Sequence, residues 1–194
     1  LQIAAHDNKM HETVEAPASQ VDTGVKVKLL DLELVDKDGK PVRFETEAVA
    51  DHIVAVDFIY TSCTTICPVL SSIMAQVEDQ LDGRLGEEIR LISISTDPNR
   101  DTPRRLSEYA GKFGAGPDWI WLTGRKPDVD RVLTALGAYS IDFVDHPPMV
   151  VIGDPKSGNW SRLIGLPDPE DIALRLEELA AARQVSNAAL TTEE

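Results

Sequence analysis

Cysteine, glycine and proline are scarce in this sequence, and long apolar runs are missing from it. Only two of its 194 residues are cysteines, too few for the disulfide framework of a small secreted protein. Glycine and proline number 12 each, which excludes collagen-like and low-complexity chains. A membrane-spanning helix needs a run of about 18 or more apolar residues, and the sequence contains none. The length instead fits one domain with a sizeable core.

Positive charge is also scarce. Lys and Arg total 19 against 33 Asp and Glu, so the net charge is -14. A surface of this sign repels nucleic acid and anionic lipid, and the sequence has no glycine-rich loop for a phosphate group. It also has no convincing Ser-His-Asp arrangement. We therefore expect no nucleic-acid partner, no nucleotide ligand and no hydrolase activity.

The two ends of the sequence lack the apolar periodicity of packed helices and strands. Residues 1–24 are rich in polar and small side chains, which predicts a flexible tail or tether. Residues 25–184 are expected to form the folded domain, and the residues after 184 a frayed tail. Because the sequence opens on Leu1 rather than Met, we expect that a signal peptide or anchor has been removed.

Strand and helix patterns alternate within the predicted domain. Residues 53–60 form a nearly continuous apolar, β-branched run, which is typical of a strand buried on both faces. This strand leads directly to Cys63, and helical spacing of apolar residues predicts a helix over residues 68–81. Upstream, the turn at residues 36–39 predicts a β-hairpin.

Further strands and helices follow in the same order. The predicted strands cover residues 89–95, 119–122, 149–153 and 160–164, and the predicted helices cover residues 103–113, 128–136 and 168–182. The first of these helices is preceded by a capping residue and begins with proline. The element order predicts a thioredoxin-like α/β fold, a central mixed β-sheet flanked by helices with an N-terminal β-hairpin.

The two cysteines, Cys63 and Cys67, are the strongest candidates for chemistry. If the helix begins near Cys63, the pair occupies positions i and i+4 on one helix face, with Cβ atoms roughly 5–6 Å apart. The positive end of a helix lowers the pKa of a thiol and so favours the thiolate that redox exchange and metal binding both require. Two thiolates suit a soft ion such as Cu(I), or zinc if two more ligands are present. A merely structural pair of buried cysteines explains this position, between a strand and a helix, less well.

His146 is the candidate third ligand. It lies just before the strand predicted at residues 149–153, and in a thioredoxin-like fold that loop lies beside the cysteine loop. Two thiolates and one imidazole point to copper. A lone histidine beside proline is more often an ordinary loop residue, so the case for His146 depends on the cysteines. The spacing by itself leaves copper binding and thiol redox chemistry both open.

Asp57 lies in the middle of the strand predicted at residues 53–60. A desolvated carboxyl group there has a raised pKa and can exchange the proton of a reacting thiol. An acid that is simply hydrogen-bonded at a strand edge or in a polar pocket fits the sequence equally well. Asp57 is therefore a candidate proton shuttle, with no role in copper binding.

Two motifs carry a family resemblance. Residues 61–68, TSCTTICP, resemble the Cys-x-x-x-Cys-Pro metal loop of the Sco (SenC) family of copper chaperones. Residues 95–103, STDPNRDTP, resemble the Asp-Pro-x-x-Asp-Thr-Pro segment of that family. Both occur in the family's order, and residues 122–124 and 144–146 look like its later landmarks. The resemblance therefore extends over the whole predicted domain.

The resemblance implies a thioredoxin-like metallochaperone, rather than a turnover enzyme, that binds one copper ion through Cys63, Cys67 and His146. The ion is Cu(I) or Cu(II). Such a protein helps to assemble the CuA centre of cytochrome c oxidase, by delivering copper, by reducing the client's cysteines, or both. Its implied partners are the CuA-bearing subunit, other copper chaperones and thiol reductants. It is expected in the periplasm or the intermembrane space, tethered to the membrane.

Departures from the family pattern favour a second hypothesis. The segment before His146 is short, and two prolines follow it in place of a small hydroxyl residue. Pro148 occupies the position where thioredoxins have a cis-proline. Asp57 precedes Cys63 by six residues, as the buried aspartate of thioredoxins precedes their first redox cysteine. The alternative function is a thiol-disulfide oxidoreductase in which Cys63 attacks, Cys67 resolves and Asp57 shuttles protons.

Overall fold

The computed structural model describes residues 19–81, 83–142 and 147–191. These residues form eight strands, four α-helices and a π-helical segment at Phe44–Val49. The strands are Gln20–Thr23 (β1), Glu33–Asp36 (β2), Pro41–Arg43 (β3), Ile53–Ile59 (β4), Ile89–Ser95 (β5), Trp119–Thr123 (β6), Met149–Asp154 (β7) and Asn159–Ile164 (β8). The α-helices are Ile66–Gln80 (α1), Pro103–Gly111 (α2), Lys126–Leu136 (α3) and Pro169–Thr191 (α4).

All eight strands belong to one mixed sheet, in the order β1-β8-β7-β4-β5-β6-β2-β3. Strands β4, β5 and β6 are parallel, because a helix crosses over between each pair. Strand β7 runs antiparallel to β4, and β8 runs antiparallel to β7. The predicted α/β class, with a central mixed sheet and flanking helices, is confirmed.

The predicted N-terminal hairpin is formed by β2 and β3. Its turn is held by Asp36, whose Oδ1 accepts hydrogen bonds from the backbone N–H groups of Asp38 (2.9 Å) and Lys40 (2.8 Å). Gly39 completes the turn with a φ of 81°, a conformation that a side chain would strain. The hairpin joins the sheet where β2 pairs antiparallel with β6.

The central strand β4 is buried over its whole length and divides the core into two layers. Its side chains at 53, 55 and 59 pack against α1, α2 and α4. Those at 54, 56 and 58 pack against α3 and the π-helical segment. Cys63 and Cys67 belong to the first layer, and strand alternation places Asp57 on that same face.

Two segments that the sequence predicts as tails form regular structure. Gln20–Thr23 pairs with β8, although all four of its residues are exposed. Main-chain hydrogen bonds hold this edge strand, so no apolar alternation marks it in the sequence. Helix α4 continues to Thr191, and because residues 184–189 are exposed, no apolar stripe marks this part of the helix in the sequence. The rest of the predicted tails, residues 1–18 and 192–194, lies outside the described residues.

Helix α4 is the longest element of the fold, with 23 residues. Its first half packs on the cysteine face of the sheet through Ile172, Leu176 and Leu179. In the part of the chain that the structure describes, no helix combines the length and the apolar character needed to cross a membrane.

Candidate metal and thiol site

Cys63 and Cys67 lie where β4 leads into α1. The condition for placing both cysteines on one helix face is not met, because α1 begins at Ile66 and Cys63 lies in the preceding turn. There the backbone N–H of Cys63 donates to the carbonyl of Tyr60 (3.1 Å). The backbone N–H of Cys67, in the first turn of α1, donates to Sγ of Cys63 (3.3 Å). The sulfur of Cys63 thus caps one of the unpaired N–H groups at the start of the helix.

Asp101 holds this cysteine turn outside the helix. Its side chain is buried and accepts hydrogen bonds from the backbone N–H (3.1 Å) and the hydroxyl (2.5 Å) of Thr61. It also accepts one from the hydroxyl of Ser95 (2.7 Å). Thr123 fixes Asp101 in turn by donating to its carbonyl (2.8 Å). The cysteine turn is therefore tied to the carboxyl end of β5.

This role of Asp101 is one that the sequence reasoning missed. Residues 101–103 were predicted to start a helix and to belong to the motif at residues 95–103, but neither prediction gave Asp101 a contact with the cysteine turn. The capping residue of α2 is Thr102, whose hydroxyl accepts from the N–H of Arg105 (3.4 Å). The available signal was the motif at residues 95–103. Its first residue, Ser95, and its second aspartate, Asp101, are the two groups that meet beneath the turn.

The surroundings of the two thiols give them opposite tendencies to ionise. Both cysteines are free, and they are only 6% and 5% exposed. Burial acts to raise the pKa of Cys63, but hydrogen bonds from the Cys67 thiol and from nearby backbone N–H groups lower it to about 6. Burial and the neighbouring sulfur of Cys63 raise the pKa of Cys67 to about 12. At neutral pH, Cys63 is therefore the thiolate and Cys67 the thiol that donates to it.

We expect iodoacetamide to alkylate Cys63 far faster than Cys67 at pH 7. Because the thiolate is the reacting species, Cys63 of the reduced parent should react at least about a hundredfold faster than Cys67. Fragment mass spectrometry, which locates the label on Cys63 or on Cys67, gives both rates. In urea the environments of the two thiols become ordinary, so the unfolded parent is the control and its two cysteines should react alike. Similar rates in the folded parent would contradict the opposite ionisation of the pair.

Asp57 is wholly buried in β4. Its neighbour across the sheet is Ser93, whose hydroxyl donates to Oδ1 of Asp57 and accepts from the indole N–H of Trp119 (2.9 Å). Within the described residues, Oδ2 of Asp57 has no hydrogen-bond partner. Burial raises the pKa of Asp57 to about 7, although the bond from Ser93 acts to lower it. The negative charge of Asp57 also contributes to the raised pKa of Cys67, so the two groups interact electrostatically.

The third predicted ligand, His146, lies outside the described residues, together with residues 143–145. The described chain resumes at Pro147 and enters β7, whose Val150 pairs with Asp57. Because β7 is antiparallel to β4, the first residues of β7 lie at the end of the sheet where β4 ends and the cysteine turn starts. Among the described residues, no three His, Cys, Asp or Glu side chains are grouped so that they could hold a metal ion.

Pro148 differs from the thioredoxin pattern. Every peptide bond between described residues is trans, including the one that precedes Pro148. Its carbonyl accepts a hydrogen bond from the N–H of Gly165 (2.8 Å), which ties the start of β7 to the end of β8. The entry to β7 is therefore fixed by the hairpin of the last two strands.

Comparison with known proteins finds relatives over the part of the chain that contains the motifs at residues 61–68 and 95–103. A sequence model of the family described as SCO1/SenC matches residues 24–181. This match confirms the resemblance seen in the two motifs. The SCO1 protein homolog of Bacillus subtilis (strain 168) is 34% identical over 90 residues, which is 46% of this chain and 45% of that protein. The chain spans about half the length of the curated relatives that it matches.

Solved structures of related proteins share the architecture. BsSco, described as a member of the Sco family of cytochrome c oxidase assembly proteins, superposes with a TM-score of 0.68 at 23% identity, over 81% of this chain and 95% of that one. Bradyrhizobium japonicum ScoI, solved with copper bound, superposes with a TM-score of 0.60 at 25% identity, over 76% of this chain and 96% of that one. The predicted thioredoxin-like fold is thereby confirmed.

Proposed function

Because this chain belongs to the SCO1/SenC family, we propose that it is a copper metallochaperone that binds one copper ion through Cys63, Cys67 and His146. The observation that carries the proposal is the sulfur of Cys63, which accepts a hydrogen bond from the backbone N–H of Cys67 at the start of α1 and whose pKa is lowered to about 6 by its surroundings. Thiolate sulfur is a preferred ligand of Cu(I). Bradyrhizobium japonicum ScoI, a structural neighbour solved with copper bound, supports this choice of metal.

The donor set suits an ion that must be passed on. Cys63 is already a thiolate at neutral pH, whereas Cys67 releases its proton as the metal binds. The imidazole of His146 is the third donor in the proposal. His146 precedes β7 in the sequence, and β7 begins at the end of the sheet where β4 leads into the cysteine turn, which supports this choice. Three protein ligands leave room for a sulfur of the recipient, which can enter before the original thiolates leave.

The recipient we propose is the CuA-bearing subunit of cytochrome c oxidase. BsSco, which shares the fold, is described as belonging to a family of cytochrome c oxidase assembly proteins, and this supports the choice. We also place the protein outside the cytoplasm, in the periplasm or the intermembrane space, on a membrane tether. Other copper chaperones and thiol reductants would supply its copper and electrons there. Localisation and these further partners rest on the family resemblance alone.

Copper titration of the fully reduced protein tests the ligand set. We expect one bound copper per chain, with affinity weakened about a hundredfold or more in Cys63→Ser and about ten- to a hundredfold in His146→Ala. His52→Ala is the matched control, because His52 lies at the far end of β4, about 20 Å from the cysteine turn. Its ring nitrogens contact the carbonyls of Val49 and Gly86 (both 3.3 Å).

Each outcome of this titration has a distinct meaning. Unchanged affinity in His146→Ala would remove the histidine from the ligand set. Equal weakening in His52→Ala would show that the loss reflects general damage to the fold. A reduced parent protein that binds no copper would overturn the proposal.

Thiol-disulfide exchange is a second candidate function, favoured by the opposite ionisation of the two thiols. The thiolate of Cys63 attacks a client disulfide and forms a mixed disulfide, while the client's other sulfur leaves with the electron pair. Cys67 then attacks Cys63, so the client gains two electrons and the pair ends as a disulfide. Asp57 takes up the proton of Cys67 in this second step. The same variants separate the functions, since His146→Ala leaves exchange intact and Cys63→Ser abolishes it.

A further inference from the structure

Arg105 brings a positive charge to the cysteine turn. It lies exposed in the first turn of α2 and donates from Nε to the hydroxyl of Thr61 (3.2 Å), two residues before Cys63. That hydroxyl donates to the buried carboxylate of Asp101 (2.5 Å), which is itself fixed to β5. One edge of the guanidinium is therefore anchored to a rigid part of the fold.

The outer nitrogens of Arg105 are unoccupied within the described part of the chain. Of its neighbours, Arg100 is ion-paired with Asp97 (3.4 Å). Likewise, Arg104 is ion-paired with Glu108 (2.9 Å). Arg105 forms no ion pair with a described residue, and its hydrogen bond to the turn uses only Nε. A guanidinium held in this way presents two parallel N–H donors, the geometry that matches a carboxylate.

The position of Arg105 runs against the charge pattern of the rest of the protein. The chain carries a net charge of -14. Acidic side chains suit the positive end of a helix, and the first turns of α3 and α4 carry Asp128 and Glu170 there. The first turns of α1 and α2 contain no acidic residue. On the α2 side of the cysteine turn, Arg105 is thus an exposed positive charge, whereas the carboxylate of Asp101 behind it is buried.

We propose that Arg105 binds a carboxylate in an acidic segment that flanks the reacting cysteine of a partner polypeptide. The contact holds the partner where its sulfur meets Cys63, so this inference rests on the proposed function. A short acidic segment fits the site better than nucleic acid or an anionic membrane does. One guanidinium cannot offset the repulsion that a chain of charge -14 exerts on an extended polyanion.

Three peptides of equal length provide the test. Each carries one cysteine as a mixed disulfide with thionitrobenzoate, flanked by glutamate, glutamine or lysine. Cys63 of the reduced, metal-free protein attacks the peptide sulfur, a new disulfide forms, and coloured thionitrobenzoate leaves with the electron pair of the broken bond. We expect the parent to react several-fold faster with the glutamate peptide than with the lysine peptide at about 0.15 M ionic strength, where a Debye length of about 8 Å screens the net charge of -14 more than it screens a direct contact with Arg105.

Variants of Arg105 show whether its charge produces the preference. Arg105→Gln is expected to slow the reaction of the glutamate peptide about three- to tenfold and to leave that of the glutamine peptide unchanged. Arg105→Lys, which keeps the charge, should retain part of the preference, and Arg105→Glu should reverse it. Arg131→Gln is the matched control, because Arg131 is an exposed arginine of α3, which packs on the opposite face of the sheet.

Three results would overturn the proposal. The first is equal rates for all three peptides in the parent. The second is an equal slowing of all three in Arg105→Gln, which would limit Arg105 to holding the turn. The third is an equally large loss of rate with the small symmetric disulfide of thionitrobenzoate, which would show that any small anion suffices.

Copper titration of the same proteins keeps this inference separate from the proposed function. If the peptide preference is absent but the parent binds copper through its cysteines, only the role of Arg105 fails. If the preference is present but no copper binds, the copper function fails and Arg105 remains a docking residue for thiol exchange.

Discussion

Asp57→Asn is expected to be more stable than the parent at pH 8, by an amount that nearly disappears at low pH. Burial raises the pKa of Asp57 to about 7, and its Oδ2 has no partner among the described residues. Between about pH 4 and pH 7 the native protein therefore holds a proton that the unfolded chain releases, so stability falls as pH rises through this window. Asparagine keeps the Oδ1 acceptor for Ser93 and has no charge to desolvate.

Urea unfolding of the reduced proteins at several pH values measures this effect. The difference in unfolding free energy, variant minus parent, should grow by about 3 kcal/mol between pH 5 and pH 8. It should grow by roughly 1.4 kcal/mol per pH unit until the pH reaches the raised pKa of Asp57, and then level off. Asp22→Asn, at an exposed position of β1, controls for the general loss of one negative charge. Parallel pH curves for Asp57→Asn and the parent would show that Asp57 is ionised in the native state throughout.

Arg183→Met is expected to lower the unfolding free energy by about 3 kcal/mol or more. Arg183 donates from Nη2 to Oδ1 of Asp154 and from Nη1 to the carbonyl of Asp51 (2.6 Å). The side chain of Arg183 is 11% exposed and that of Asp154 only 2%. Burial acts to raise the pKa of Asp154, but the bond from Arg183 holds it below its ordinary value. Without the arginine, a buried carboxylate is left without its counter-charge.

A double-mutant cycle separates this pair from its surroundings. In the Arg183→Met background, Asp154→Asn should cost less than in the parent, with a coupling of about 1–3 kcal/mol. Arg104→Ala is the control, since it breaks an exposed helical ion pair with Glu108 that contributes only about 0.5 kcal/mol. If Arg183→Met costs no more than Arg104→Ala, the pair does not stabilise the fold.

The elements that the sequence predicted well are those whose side chains are sorted by burial. Strand β4 is recognisable as a nearly continuous apolar run that is buried on both faces, and helix α1 because its apolar residues follow the helical spacing of the face that it buries. Strand β1 has no buried side chain, and the exposed end of α4 has no apolar stripe. Neither could be found from hydrophobic spacing, because backbone hydrogen bonds leave no such pattern.

The contact between the two cysteines was predictable from the sequence, but its geometry was not. Their spacing predicted that Cys63 and Cys67 lie together, and the arrangement considered for them, two positions on one helix face, does not hold because Cys63 precedes α1. The contact runs instead from a backbone N–H to sulfur, and it depends on the bond from Thr61 to Asp101, 40 residues further along the chain. No local pattern reports a contact between residues so far apart. The ligand role of His146 stays a prediction.

The order in which the layers of the core are completed matters while the chain is being made. Helix α4 supplies Ile172, Leu176 and Leu179 to the same apolar layer that buries Cys63 and Cys67, yet it is the last element along the chain. About a hundred residues separate the second cysteine from this helix, an interval of roughly 5–20 s at usual rates of synthesis. During that interval the apolar layer that buries the two thiols is incomplete. Their protection from oxidants and unwanted metals then depends on other molecules rather than on the fold.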